Sequence, residues 1–398
     1  MLNIQERDAD YGIALFRLGF RPFFLGAGLF SVVAVTIWFA IYVMHVDIPL
    51  PDMPPVIWHA HEMIFGYAMA VIAGFLLTAI KNWTGQQTLR GGGLAALFGL
   101  WVLARALPFA GQDINIAILA AVDLSFMAFL VVAASIPVLK VKQYSQISIL
   151  SKLALLMLSN VMFYLGVTGV LQEGVSWGLY SGLYMIIALV LVMARRVVPI
   201  FIKNGIDGDA NIRNWRSVDL LSLVFLLALW IIDVFTPYAT VMSIVAGILF
   251  LLHVIRMVGW YTSKLWSKPL LWVLYLAYGS IVTGFALKSM QVWFDISPFL
   301  AVHAFAYGGV GVMTLGMMSR VILGHTGRNV FEPPSVLFWC FLLLVCGTAV
   351  RVFVPLFNME LYIYWIGISQ LLWILAFGLF VVVYAPMLWS PRVDGQDG

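Results

Sequence analysis

Two histidines and a carboxylate share one short run of this chain, Trp58-His59-Ala60-His61-Glu62-Met63, which leads into a stretch from Gly66 to Ile80 with no charged side chain. Neutral imidazole is the commonest metal ligand among side chains. Ionisable groups at the head of a membrane-crossing helix are costly to bury and usually serve ligation, proton transfer or ion pairing. The run therefore reads as a metal or cofactor site. Residues two apart on a regular helix point about 200° apart, so His59 and His61 cannot grip the same ion unless the helix start is frayed. His61 is the candidate ligand to one group. His59, with Glu62 or His45 as partner, is the candidate for a second metal of the copper type.

The chain around this run is apolar throughout. Of 398 residues 63% are hydrophobic and 10% charged, with a mean hydropathy of +1.01. Those values exclude a soluble globular domain and place the chain among all-α polytopic membrane proteins. A spanning helix needs roughly 20 mostly apolar residues. Twelve such runs occur, near 23–45, 58–80, 92–109, 115–139, 150–171, 176–202, 218–236, 238–260, 268–288, 297–323, 334–356 and 361–385. The links between them are short, so residues 1–398 read as a single membrane domain.

Charge orients the spans. Of the 22 basic residues, all but Arg105, Lys288 and Arg351 fall on one side. By the positive-inside rule that side is cytoplasmic and carries both termini, which requires an even number of spans. The N-terminus does not read as a cleavable signal, because Asp8 and Asp10 interrupt it; Tyr11 to Phe20 reads as an interfacial segment. The pI near 9.0 reflects this inner-face basicity and gives no case for nucleic-acid binding. Cys340 and Cys346 stand about 240° apart on one helix, so neither a disulfide nor a cysteine-pair metal site is expected.

Laying the second span on the tenth brings out an internal correspondence. His61 falls on His303, Gly66 on Gly308, Gly74 on Gly316, Ile80 on Ile322 and Thr84-Gly85 on Thr326-Gly327. The third span carries Arg105 and Pro108 near its outer end, the eleventh Arg351 and Pro355. Ile202-Lys203-Asn204 in the sixth echoes Ile80-Lys81-Asn82. Repeats headed by spans two, six and ten imply three four-helix units, related by an axis along the membrane normal. Glycines along spans two and ten allow either close helix approach or contact with a flat ligand.

Orientation then gives each polar residue a depth. His59, His61, Glu62, His303, Arg105 and Arg351 share the outer layer, with Asp123, Asp233, Lys288 and Asp295 close to it. Two imidazoles from facing helices can clamp a haem iron, and a haem's propionates suit the planar fork of arginine. His61 with His303 as ligands and Arg105 with Arg351 as propionate partners would meet both needs. The opposite face gathers Arg195, Arg196, Arg320, His325 and Arg328, either topology-setting charge or an anion vestibule. His253, inside span eight beside Arg256, is either a satisfied buried imidazole or a proton relay.

Several motifs together resemble those of the NnrS family: Gly19-Phe20-Arg21-Pro22-Phe23-Phe24, Trp58-His59-Ala60-His61-Glu62-Met63, Gly74-Phe75-Leu76-Leu77-Thr78-Ala79 with Asn82-Trp83-Thr84-Gly85, Arg195-Arg196 with Pro199, and His303 followed by Met317-Met318-Ser319-Arg320-Val321 and Leu323-Gly324-His325-Thr326-Gly327-Arg328. The resemblance covers nearly the whole chain. It implies a bacterial inner-membrane protein with haem b and copper, linked to nitric oxide resistance during denitrification or nitrosative stress, and an electron donor outside this chain. A more distant likeness is to subunit I of the haem–copper oxidases, which also has twelve spans in three four-helix arcs. The departure is large. Spans six and seven contain no histidine, and span ten has one where that superfamily has a His-x-His pair, so a conventional binuclear centre is not expected and enzymatic turnover is left open. A secondary transporter of an anion or metal species, with the two arginine layers as gates, and a haem-based nitric oxide sensor are the alternative readings.

Overall fold

The computed structural model describes residues 14–50, 53–111, 114–206 and 211–396. Among them there is no strand, and twelve helices are long and apolar enough to cross a membrane. They are α1 Phe20–Tyr42, α2 Pro55–Thr84, α3 Gly91–Phe109, α4 Ile116–Lys140, α5 Tyr144–Val167, α6 Gly174–Gly205, α7 Arg216–Phe235, α8 Ala239–Trp260, α9 Pro269–Phe294, α10 Pro298–His325, α11 Val336–Phe357 and α12 Tyr362–Trp389. The chain is a multi-pass membrane protein. All twelve expected spans are present, and most ends agree within about two helical turns. Helix is the expected answer in lipid, where every backbone polar group must be satisfied within its own segment.

The first and last helices pack side by side, so both ends of the chain meet at one end of the bundle, as an even number of spans requires. Arg21, fully buried, donates from Nη1 to the carbonyls of Leu388 at 2.9 Å and Ser390 at 2.7 Å. Ala14 N–H donates to Trp389 O at 2.8 Å. The described part of the expected interfacial segment is therefore not spread on a membrane surface: Ala14 and Leu18 are buried against the bundle. Arg7, Asp8 and Asp10 lie outside the described residues. Beyond α12, Arg392 donates to both carboxylate oxygens of Asp394 and holds that carboxyl down to about 2.

Helices α2, α6, α9 and α10 are the most covered by protein, and α7 the least. α6 packs on both α2 and α10, and Tyr67 and Thr314 join the latter two by a 2.6 Å hydroxyl–hydroxyl bond. α2 and α10 share an unusual build. Each has proline in its first turn and runs as a short α-helix to a histidine, Pro55–His61 in one and Pro298–His303 in the other. A π-helical segment follows in each, Glu62–Ala68 and Ala304–Gly311. Beyond the returning α-helix each closes on a left-handed glycine, Gly85 at φ +66° and Gly327 at φ +76°. α6 is α-helical throughout. A further π segment, Ala349–Phe353, carries Arg351 in α11. π segments re-aim the side chains around them and often mark functional sites.

The glycines of these helices are filled by protein neighbours. A Cβ on Gly66 would stand 2.8 Å from Arg105 Nη1 and from Glu62 Oε2, and one on Gly311 would strike the Trp373 ring. Of the two uses open to them, close packing is the one realised. Cys340 and Cys346 are both free thiols, the first buried and the second exposed.

Candidate functional site at the end opposite the termini

The outer layer resolves into two groups of side chains. The first surrounds Arg105, buried on α3. Its Nη1 donates to Glu62 Oε2 at 2.7 Å, and its Nη2 pairs with Asp123 Oδ1 of α4. Gly66 makes the approach possible, since any side chain there would meet the guanidinium. Removing Arg105 would leave two carboxylates buried without their cation, at a cost of about 3–5 kcal/mol. Arg105, expected to face a propionate, is engaged by two carboxylates of this chain instead.

His61 belongs to this group. Its Nδ1 lies 3.1 Å from Glu62 Oε1, and its Nε2 lies 3.0 Å from Asn160 Oδ1 and 3.4 Å from Asp123 Oδ2. The amide of Asn160 donates from Nδ2 to Asp123 Oδ2 at 2.8 Å, so its Oδ1 is the acceptor that faces the ring. Both ring nitrogens thus face oxygen acceptors and are placed to donate. An imidazole held that way offers no lone pair to a metal. Phe163 stacks on the ring at 4.4 Å, and Tyr164 donates to Asp123 at 3.2 Å.

The second group centres on His303 and Arg351. Nδ1 of His303 sits 2.7 Å from Phe299 O, and Nε2 sits 2.9 Å from Arg351 Nη2. A carbonyl only accepts and a guanidinium only donates, so the proton is on Nδ1 and the lone pair on Nε2. That is the arrangement in which histidine ligates a metal, with its second nitrogen bonded to a backbone carbonyl. Arg351 lies over the Tyr362 ring at 5.5 Å, and among the described residues its Nη1 has no hydrogen-bond partner. His59 stacks on Trp38 of α1 at 4.8 Å and 6°, and its buried Nδ1 likewise has no partner among the described residues. It stands near enough to Arg351 and His303 to interact electrostatically with both. His59 and His61 do point to different sides of α2, and the one on His303's side is His59.

Several contributors were not singled out from sequence. Asn160 and Tyr164 complete the first group, and a lone amide in the apolar run of α5 was their only signal. Gln370 of α12 is buried with neither amide atom satisfied, and Trp373 Nε1 one turn further on is unpartnered too. Gln370 shares a helix face with Tyr362, which covers Arg351; the spacing of eight residues is about two turns. His45 stays exposed in the loop after α1. Among the described residues no three or more His, Cys, Asp or Glu side chains cluster as a metal-ion site. Axial haem ligation needs only one or two imidazoles.

Three other charged clusters among the described residues are paired or hydrogen-bonded within the bundle. Lys288 meets Asp233 at 2.9 Å, and Tyr184 donates to the same carboxylate at 2.8 Å. Towards the termini Asp219 holds both Arg195 and Arg256, while His253 bonds Tyr278 through Nδ1 and stacks on Phe285.

Fold and site together define a polytopic helical membrane protein with a buried histidine–arginine–carboxylate layer at one end. The sequence model described as NnrS protein matches residues 14–392, and the chain belongs to the NnrS family. No curated protein matches it.

Proposed function

We propose that this is a haem b- and copper-binding protein of the bacterial inner membrane, with cytoplasmic termini, that protects against nitric oxide. It would do so by binding or redox turnover of nitric oxide or iron–nitrosyl species near the periplasmic face. Family membership supports the cofactors and the substrate. The observation that carries the site is the His303 ring, whose Nδ1 is committed to Phe299 O and whose Nε2 presents its lone pair to Arg351 Nη2, a bond that a metal would have to replace.

The residues around His303 fit a haem edge. His303 would supply the ligand nitrogen once Arg351 Nη2 moves off it, and the guanidinium, including Nη1, would be available to a propionate. His59 Nδ1, buried and without a partner among the described residues, would be a further candidate donor to the haem iron or to copper. When bound, the haem would supply a redox-active iron that takes nitric oxide as a ligand. The chain's own work is to orient His303, neutralise the propionates and exclude water by the aromatic cover of Trp38 and Tyr362. His61 would ligate only after leaving Glu62 and Asn160; with Arg105 it holds the start of the α2 π segment in place. Electrons would come from a donor outside this chain.

The test is reduced-minus-oxidised spectroscopy of the purified protein, with pyridine haemochrome and copper analysis, before and after adding nitric oxide. A b-type spectrum perturbed by nitric oxide is expected. A colourless, metal-free protein after haem-replete expression, with saturable anion or metal uptake into liposomes, would replace this reading with the transporter.

A further inference from the structure

Arg320 and Lys268 differ from the paired cations above. Among the described residues no carboxylate lies within ion-pairing reach of either. Arg320, in the last turns of α10, lays its guanidinium over the Phe201 ring of α6 at 3.9 Å. That contact fixes the plane of the cation and uses none of its N–H groups. Lys268 stands at the start of α9. Both side chains are half-buried.

The two cations border one shallow, partly open hollow, whose walls include Leu270, Val330, Phe331 and Pro333. It opens where α6 and α10 end and α9 begins, on the termini-bearing face, the level at which lipid headgroups meet the bundle. Its chemistry is two-sided: a planar fork and a point charge for an oxyanion, beside hydrocarbon walls. Facing those walls would cost a free phosphate its hydration. A phosphodiester carrying its own hydrocarbon would lose far less.

We propose that this hollow is a binding site for an anionic phospholipid, with Arg320 and Lys268 on the headgroup phosphate and the apolar walls against the glycerol and first acyl carbons. Basic pockets between membrane helices bind anionic headgroups in this way. The site is separate from the histidine layer and independent of any cofactor.

Native mass spectrometry of the full chain, titrated in detergent with phosphatidylglycerol or phosphatidylcholine, tests it. The protein should retain one phosphatidylglycerol in preference to phosphatidylcholine. Arg320→Gln and Lys268→Gln should each weaken that binding about fivefold, the factor expected for one interfacial cation, and Arg320→Lys should weaken it less. Phe331→Glu, at a side chain already 53% exposed, puts an anion at the hollow without touching the core and should weaken it as well. Phosphatidylglycerol binding that ignores all of these substitutions overturns the proposal. Displacement of the lipid by millimolar inorganic phosphate overturns it in favour of a soluble-anion site.

Discussion

His61 and His303 occupy the same position in two different helices: each is the last α-helical residue before a π-helical segment. The rings nevertheless have opposite surroundings. His61 is enclosed by oxygens from Glu62, Asp123 and Asn160, whereas His303 faces one carbonyl and one guanidinium. One position in the helix thus serves a cage of oxygen acceptors in α2 and, in α10, a lone pair that accepts from a guanidinium.

That contrast separates the two histidines experimentally. His303→Ala should abolish or shift the Soret band of the haem-loaded protein while leaving its thermal midpoint within a few degrees of wild type. His61→Ala should lower the midpoint sharply, as expected when a buried ring bonded to Glu62 and Asn160 is lost and leaves those acceptors unsatisfied. A Soret band untouched in both His303→Ala and His59→Ala would sink the ligand assignment.

Arg105 is the cation on which Glu62 and Asp123 depend. Arg105→Met should cost about 3–5 kcal/mol in stability, because two carboxylates then lie buried side by side. Adding Glu62→Gln should recover part of that loss, since the pair is coupled and its effects are not additive. Thermal unfolding in detergent, run on the two single variants and the double, gives the answer; simple additivity would contradict the double ion pair.

Gly66→Ala is a one-atom probe of the same cage. The added Cβ meets Arg105 Nη1 and Glu62 Oε2 at 2.8 Å, and overpacking of this kind costs about 1–3 kcal/mol. Gly92→Ala, at an open position, is the control and should leave the midpoint within about a degree of wild type.

Arg21→Ala should remove the charge-assisted bonds that tie α1 to the carbonyls after α12. The expected loss is about 1.5–3 kcal/mol, with faster proteolysis beyond Trp389. A tail cleaved at the wild-type rate would show that other contacts hold it.

The spans were legible because length and apolarity alone decide them in lipid, and the even count followed from the side on which Arg21, Arg195 and Arg320 fall. Depth was legible too, placing His59, His61, His303, Arg105 and Arg351 in one layer. Rotation about each helix axis was not. Hydropathy varies little around helices such as α4 and α11, so nothing in the sequence says which neighbour a given face meets. His59 and His61 could be set on opposite sides of α2, but which of them turns to α10 depends on packing against Trp38 and Phe163. The π segments were equally hidden, since they follow from tertiary fit rather than from a residue pattern. Asn160 was missed because a single amide in an apolar run carries no partner's name.

The bond between Arg21 and Leu388 joins residues 367 positions apart. At roughly 5–20 residues per second of synthesis, the arginine enters the bilayer about 20–70 s before those carbonyls exist. Through that interval its side chain must reach up to the headgroups for solvation, and the first helix waits unclosed beside the translocon. The docking of α1 on α12 is therefore timed by the ribosome, and a chain released a few dozen residues early would lack the carbonyls that hold Arg21.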